Sequence, residues 1–419
     1  MAAGVPGGSS PTAADFRREA ARCRDLLHRT VFDFYFPHCL DRANGGYFEE
    51  WKDGRFVVRG EKFLTLQARQ LWFFSTLAAQ NIERQKSTEA AWPGFVALER
   101  AFHDVHHGGY YSRVNDAGRV VDARKHVYLN SFALYGMVAY YEATKDRQAL
   151  QRSKELFDVL DRHAHDNVNG GYHEFFQADW KPVTQAGETS YVGAIGTKTY
   201  NTHLHLMESF TALYRVWPDS RLRERLAELL HINTTTVQHA STRCNIDGWW
   251  PDWRIVEQPR NMRASYGHDV ECLWLGIDAV HALGWPESMY RGWAKSLGDY
   301  SLEHGFDTEH GGFFYTGPLG EKADDTRKEW WVQSEALVGM LDLYRMTGEP
   351  RYYHAFVQTL DFIQHHQIAP DGGWWATLKA DGSVPPNTSR SSMWQGAYHN
   401  GRALLLSAKL LDNLKPRTN

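Results

Sequence analysis

Apolar residues recur along this chain with the 3.6-residue period of helices, in twelve stretches that alternate between two classes. One class covers approximately residues 13 to 36, 90 to 104, 147 to 165, 220 to 239, 286 to 304 and 351 to 367. Its apolar stripes are backed by charges such as Arg221, Arg223, Glu224 and Arg225, the mark of a helix with one solvated face. The other class covers approximately 62 to 79, 126 to 144, 200 to 216, 267 to 283, 328 to 347 and 395 to 413. It is poorer in charge and richer in small and aromatic residues, as a helix buried all round must be. The pattern therefore predicts an outer and an inner layer of six helices each.

A shorter element punctuates these stretches: Gly45-Gly46-Tyr47-Phe48, Gly108-Gly109-Tyr110-Tyr111, Gly170-Gly171-Tyr172-His173, Gly248-Trp249-Trp250, Gly311-Gly312-Phe313-Phe314 and Gly372-Gly373-Trp374-Trp375. The glycine beside the aromatics recurs at steps of 63, 62, 77, 64 and 61 residues, and Asp41, Asp104, Asp166 and Asp307 stand four residues before the first glycine. Each step holds two helices and a connection, and the Gly-Gly-aromatic pieces suit short β-hairpins at one rim. One helical hairpin cannot bury its own apolar face, whereas six closed into a ring can. The expected fold class is all-α, an (α/α)6 barrel formed by a single domain over 13–413, with tails at 1–12 and 414–419. The extra residues of the 77-residue step fall at Gln177 to Thr199, a polar loop suited to the rim of a site.

Composition narrows the function more than the fold. A net charge of -4 over 419 residues excludes a strongly basic nucleic-acid surface, and no apolar run is long enough to span a membrane. The start lacks the basic and apolar regions of a secretory leader. Cys23, Cys39, Cys244 and Cys272 have no zinc-ligand spacing and read as reduced thiols, which suggests a cytoplasmic setting. Sixteen Trp, 20 Tyr, 21 Phe and 21 His give many side chains with an apolar body and one polar tip, the kind sugar sites use.

The inner helices carry polar residues at matching points near their starts. These are Arg69; Lys125, His126 and Tyr128; Asn201, His203, His205 and Glu208; His268 and Glu271; Trp331, Gln333 and Glu335; and Trp394, Tyr398, His399 and Asn400. A buried arginine such as Arg69 needs a carboxylate or a substrate oxygen. His203 and His205 diverge on a helix, and His205 shares its face with Asn201. His268 and Glu271, three residues apart, are expected to face the same way, with Glu271 assisting the histidine. Histidines on facing walls of a funnel suit acid/base work at both faces of one carbon, by way of an enediolate.

The motifs Asn201-Thr202-His203-Leu204-His205, Gly267-His268-Asp269-Val270-Glu271, Glu329-Trp330-Trp331-Val332-Gln333-Ser334-Glu335 and Trp394 through Tyr398-His399-Asn400 resemble the N-acylglucosamine 2-epimerase superfamily, particularly its cellobiose and mannose 2-epimerase branch. The resemblance covers about residues 15 to 413. It implies a metal-free, cofactor-free isomerase, monomeric or homodimeric, acting on a free reducing sugar by ring opening and proton transfer at C2. It assigns His268 and His399 as the acid/base pair. Arg69, Asn201, His205 and Glu271 become residues that bind the sugar or assist ring opening, and Trp331 and Trp394 become stacking residues. Glu335, in the fifth motif, joins the expected binding set. Val332 stands where the family more often has proline, and Gln395 where disaccharide-acting members usually have lysine. The rival readings are an aldose-ketose isomerase or N-acylglucosamine epimerase on the same site, a metal enzyme using His203, His205, His268 and Glu271, a glycoside hydrolase or lyase, and a sugar-binding protein without catalysis.

Overall fold

The computed structural model describes residues 9–184 and 190–416; parts of the expected tails and of the Gln177–Thr199 loop lie outside the described residues. Twelve helices form the barrel: α1 Ala13–Leu26, α2 Leu64–Ala79, α3 Arg84–Ala97, α4 Val127–Thr144, α5 Arg147–His163, α6 Tyr200–Val216, α7 Ser220–His231, α8 Tyr266–Leu283, α9 Arg291–Gly305, α10 Trp330–Thr347, α11 Pro350–Phe362 and α12 Tyr398–Asn413. The even-numbered helices pack on one another in sequence, and α12 closes the ring against α2. Each odd-numbered helix packs outside, with α1 against α12. No helix among the described residues is long and apolar enough to cross a membrane. The four cysteines are buried and free.

Local sequence explains the layers. In α5, Ala149, Ser153, Leu156, Phe157 and Leu160 form one buried stripe and Asp146 caps the first turn through Gln148 N. In α2, fourteen residues from Leu64 to Ala78 are buried, so the helix has no solvated face. The last inner helix starts at Tyr398 rather than 395, because Ser392 Oγ holds the Trp394 and Gln395 amides in a turn. Trp394 therefore stands in the loop before the helix.

Connections from an inner to the next outer helix are short, whereas five of the six outer-to-inner connections carry a Gly-Gly-aromatic element and the fourth carries its counterpart. All the strands thus gather at the rim where the inner helices begin. Most pair between successive connections rather than as local hairpins: Lys125–His126 with Phe175–Phe176, Lys198–Thr199 with Gly248–Trp249, Arg263–Ser265 with Thr316–Pro318 and Lys328–Glu329 with Thr377–Leu378. The ring is stitched from repeat to repeat.

Two devices recur among the rim elements. A lysine two residues before the inner helix reaches back to the repeat's aspartate: Lys62–Asp41 at 2.7 Å, Lys125–Asp104 at 2.6 Å, Lys198–Asp166 at 2.8 Å and Lys328–Asp307 at 2.8 Å. Inside the helix, the fourth residue clamps the aromatic's backbone. Gln67 accepts from Tyr47 N and donates to its carbonyl, Asn130 and Gln333 do the same for Tyr110 and Phe313, and His203 Nε2 accepts from Tyr172 N at 2.9 Å. Gly46, at φ +73°, has to be glycine, since a Cβ there would lie 2.4 Å from Gln67 Oε1.

The fourth repeat corrects the expected register. The residue clamped by Asp269 is Asn245, and the bridge Gln238↔Asn245 matches Leu40↔Tyr47. Arg243-Cys244-Asn245 thus occupies the Gly-Gly-aromatic position, and Gly248-Trp249-Trp250 lies four residues further on, as the strand that pairs with Lys198–Thr199. This repeat has also lost both halves of the lock, with His239 and Ala264 in the places of aspartate and lysine.

Candidate active site

The sixth residues of five inner helices, Arg69, Phe132, His205, Glu271 and Glu335, form one level of the funnel, and the last helix meets them with His399 and Arg402. At the centre is Arg402, 1% exposed. Its Nη2 donates to Glu271 Oε1 at 2.6 Å and to Glu335 Oε1 at 2.8 Å, while Nη1 reaches Glu208 and the Tyr398 hydroxyl. Tyr398 OH donates to Glu208 at 2.6 Å, and the guanidinium stacks on the Tyr398 ring at 4.1 Å. Three buried carboxylates are held by one cation, which makes their burial tolerable.

Two histidines hang from this network. His399 Nδ1 meets Glu335 Oε1 at 2.6 Å and His205 Nδ1 meets Glu208 Oε2 at 2.9 Å. His268 is held differently, its Nδ1 3.0 Å from Ser265 Oγ. The His268 ring lies 4.6 Å from Trp331, and His399 lies 5.9 Å from the same indole. Among the described residues Nε2 of His205, His268 and His399 has no hydrogen-bond partner, so each offers that nitrogen to the funnel. Burial pushes the His268 pKa down to about 3. Burial, reinforced by the positive charges of Arg69 and Arg402, holds His399 well below the usual range. All of this favours neutral imidazoles, ready to accept protons.

The carboxylates differ among themselves. Burial pushes Glu208 up, but Arg402, His205 and Tyr398 bring it down to about 2, so it is charged. Burial raises Glu335 against the pull of Arg402, and raises Glu271 further, with Glu335 beside it.

The structure brings together eight of the nine expected site residues, with several changes of role, and Asn201 stands one turn before His205 on α6. Glu271 is bonded to Arg402, and no hydrogen bond links it to His268 among the described residues; the i, i+3 spacing places them side by side without pairing them. Glu335, expected to contact substrate, lies behind His399, with Trp274 Nε1 donating to its other oxygen at 3.2 Å. Arg69 meets no carboxylate: it donates to the Trp394 carbonyl and to Tyr128 OH, both at 2.9 Å, and its guanidinium covers the Phe132 ring at 4.2 Å. Its charge remains available to a ligand. Asn201 Oδ1 is likewise buried without a hydrogen-bond partner. His203 and Gln333 are rim clamps, which separates His203 from His205 as their divergence on the helix requires.

Arg402 escaped the sequence reading, and Glu208 and Tyr398 had no assigned role. The available signal was the one applied to Arg69, an arginine inside an apolar helix, here Leu404-Leu405-Leu406 following Arg402. The same arginine bears on metal binding. Donor atoms of Glu271, Glu335 and His399 lie within 4.8 Å of one another, but the guanidinium already sits on Oε1 of both glutamates, where a cation would go. His203, offered for a metal set, has both ring nitrogens engaged, by Tyr172 N and Thr199 O.

Comparison with known proteins gives a concordant picture. The profile of the N-acylglucosamine 2-epimerase (GlcNAc 2-epimerase) family matches residues 45–403. The chain is 31% identical to a cellobiose 2-epimerase from Bacteroides fragilis over 381 residues, 90% of this chain and 95% of that one. It is 26% identical to a D-mannose isomerase from Marinomonas mediterranea, over 87% of this chain and 91% of that one. The solved cellobiose 2-epimerase from Spirochaeta thermophila superposes with a TM-score of 0.85 at 28% identity, covering 95% of this chain and 98% of that one.

Proposed function

The chain belongs to the N-acylglucosamine 2-epimerase family and is an isomerase, and from that premise we propose that it inverts C2 of a free reducing aldose of the glucose/mannose type, as a monosaccharide or as the reducing end of a β-1,4-disaccharide such as cellobiose. One observation carries the reading: His268 and His399, from α8 and α12, both stand near the Trp331 indole with Nε2 open among the described residues. After ring opening, one neutral imidazole takes the C2 proton of the aldehyde, the electron pair moves into an enediolate, and the other histidine, having taken up a proton from solvent, returns it to the opposite face, while the first releases its proton to solvent. Arg69 supplies positive charge to the enediolate oxygen, and Asn201 Oδ1 accepts a sugar hydroxyl. Trp331 and Trp394 bracket the ring, and His205 and Glu271 assist ring opening.

The test is equilibration in heavy water. Deuterium is expected at C2 of both epimers, with activity lost by at least about 10³-fold in His268→Ala and in His399→Ala while folding is retained. Interconversion that keeps the C2 proton throughout, or a fully active His399→Ala, would overturn the assignment. The D-mannose isomerase relative favours a second reading on the same residues, in which the proton returns to C1 and a ketose forms. Product analysis with mannose, cellobiose, N-acetylglucosamine and fructose separates the two, and the compartment proposed is the cytoplasm.

A further inference from the structure

Both oxygens of Glu335 receive a donor that cannot act as an acceptor. Arg402 Nη2 points at Oε1 and Trp274 Nε1 at Oε2, and neither nitrogen has a lone pair to offer. Neither could accept a proton carried by Glu335. Two donors and the Arg402 charge favour the ionised carboxylate, and toward it His399 Nδ1, 2.6 Å from Oε1, is the donor. Glu208 repeats the arrangement, with Arg402 and Tyr398 OH on one side and His205 Nδ1 on the other. One guanidinium thus sits at the middle of a chain His205–Glu208–Arg402–Glu335–His399. His268, whose Nδ1 faces only the Ser265 hydroxyl, has no such fixture.

We propose that Arg402 is a positioning residue that keeps Glu208 and Glu335 as charged acceptors, and so holds His205 and His399 in the tautomer with the proton on Nδ1 and a bare Nε2 facing the substrate. The inference deepens the reading of His399 as an acid/base and rests on it for its kinetic consequence. Without the guanidinium, a glutamate as buried as Glu335 takes up a proton. It then donates to Nδ1, the imidazole proton moves to Nε2, and the nitrogen that faces C2 can no longer accept. The charged and titratable groups that surround this pair are Arg69 from α2, Tyr128 from α4, His205 and Glu208 from α6, His268 and Glu271 from α8, and Tyr398 and Arg402 from α12; Trp274 of α8 is neutral.

The wild-type protein tests the first half directly. In a ¹⁵N–¹H spectrum of histidine-labelled protein, with His399→Gln used to identify the signal, His399 is expected to carry its proton on Nδ1; a proton on Nε2 would overturn the proposal. Arg402→Met tests the second half. It is expected to lower kcat at pH 7 by about 10³- to 10⁴-fold, the scale of a wrong-tautomer defect, with KM within about threefold. Its acidic limb should move up by at least about one pH unit, so that activity recovers as Glu335 ionises at higher pH. Arg402→Lys should fall between the two and retain Nδ1–H. A loss uniform across pH, or Nδ1–H retained in Arg402→Met, would reduce Arg402 to a packing role. If Arg402→Met does not fold, the wild-type spectrum and Arg402→Lys still decide. The tautomer is read without substrate, so a correct spectrum beside absent C2 exchange would sink the epimerase reading and leave this one standing.

Discussion

The two ends of the inner ring are built from the same six helices, yet they differ in how they treat charge. At the end where the helices begin, carboxylates outnumber the arginine that holds them, and polar atoms such as Asn201 Oδ1 and Glu271 Oε2 are buried without hydrogen-bond partners. Two turns further along, beyond a floor made by Glu208, Tyr398, Arg402 and Trp274, lies a second cavity of about 320 Å³. It is walled by Trp72, Tyr135, Val338 and Leu406, the ninth residues of their helices, and at its mouth charges pair off, Arg215 with Asp278 and Arg345 with Asp342. By volume this lower chamber is a well-formed ligand pocket. Most of its charges pair within the protein, Glu142 having no ion pair among the described residues, whereas the upper end buries polar atoms without a hydrogen-bond partner among them.

The sharpest way to break this comparison is to remove one cation from each end. Lys125→Met leaves Asp104 buried without its partner and should cost about 3 to 5 kcal/mol. Arg215→Met cuts a pair whose side chains are 44% and 36% exposed, and should cost less than about 1 kcal/mol. Urea unfolding of both variants reads the difference. Equal losses would mean that the rim locks contribute no more than surface pairs, and that the strand stitching alone holds the rim.

Steric tolerance should differ in the same direction. A Cβ on Gly267 would lie 2.5 Å from the Trp331 ring and 2.7 Å from Val332, so Gly267→Ala must push the indole that both histidines lie near. A cost of about 1 to 3 kcal/mol and at least about a tenfold loss of kcat/KM are expected. Ala212→Leu adds its bulk to the lower chamber, where room exists, and should leave activity within about threefold. An active Gly267→Ala would show that Trp331 is free to move and does not fix the spacing of the histidines.

Much of this was legible in the chain because repetition amplifies weak signals. The helical period gave both layers, and the recurring glycines gave the ring. What failed was what repetition conceals. A motif match placed Gly248-Trp249-Trp250 four residues out of register, because the fourth repeat keeps the backbone bridge at Asn245 while replacing its glycines. Periodicity shows that Glu271 and His268 are near each other, but partner choice is decided across the barrel, where Arg402 outcompetes a neutral imidazole for the carboxylate. Arg402 itself lies in a leucine-rich run, and only the three-dimensional gathering of Glu208, Glu271 and Glu335 explains its burial.

The smallest expected effect concerns the clamps. His203 does with an imidazole what Gln67, Asn130 and Gln333 do with amides, and both its nitrogens are engaged, Nδ1 with Thr199 O at 2.7 Å and Nε2 with Tyr172 N at 2.9 Å. Burial lowers its pKa to about 3, so the folded chain leaves it neutral at pH values where the unfolded chain protonates it. Between about pH 6.5 and 3 the unfolded state binds the extra proton, stability therefore rises with pH in that window, and acidification costs about 1.4 kcal/mol per unit. His203→Gln keeps an acceptor for Tyr172 N but cannot titrate, so its stability loss between pH 7.5 and 5 should be smaller than that of the wild type by about 2 kcal/mol. His126 and His268, with pKa values also lowered to about 3, contribute equally to both proteins and drop out of the difference. Denaturant unfolding at the two pH values measures it; identical acid losses would mean that His203 finds a place for a second proton in the folded state, and that this clamp is looser than those of its neighbours.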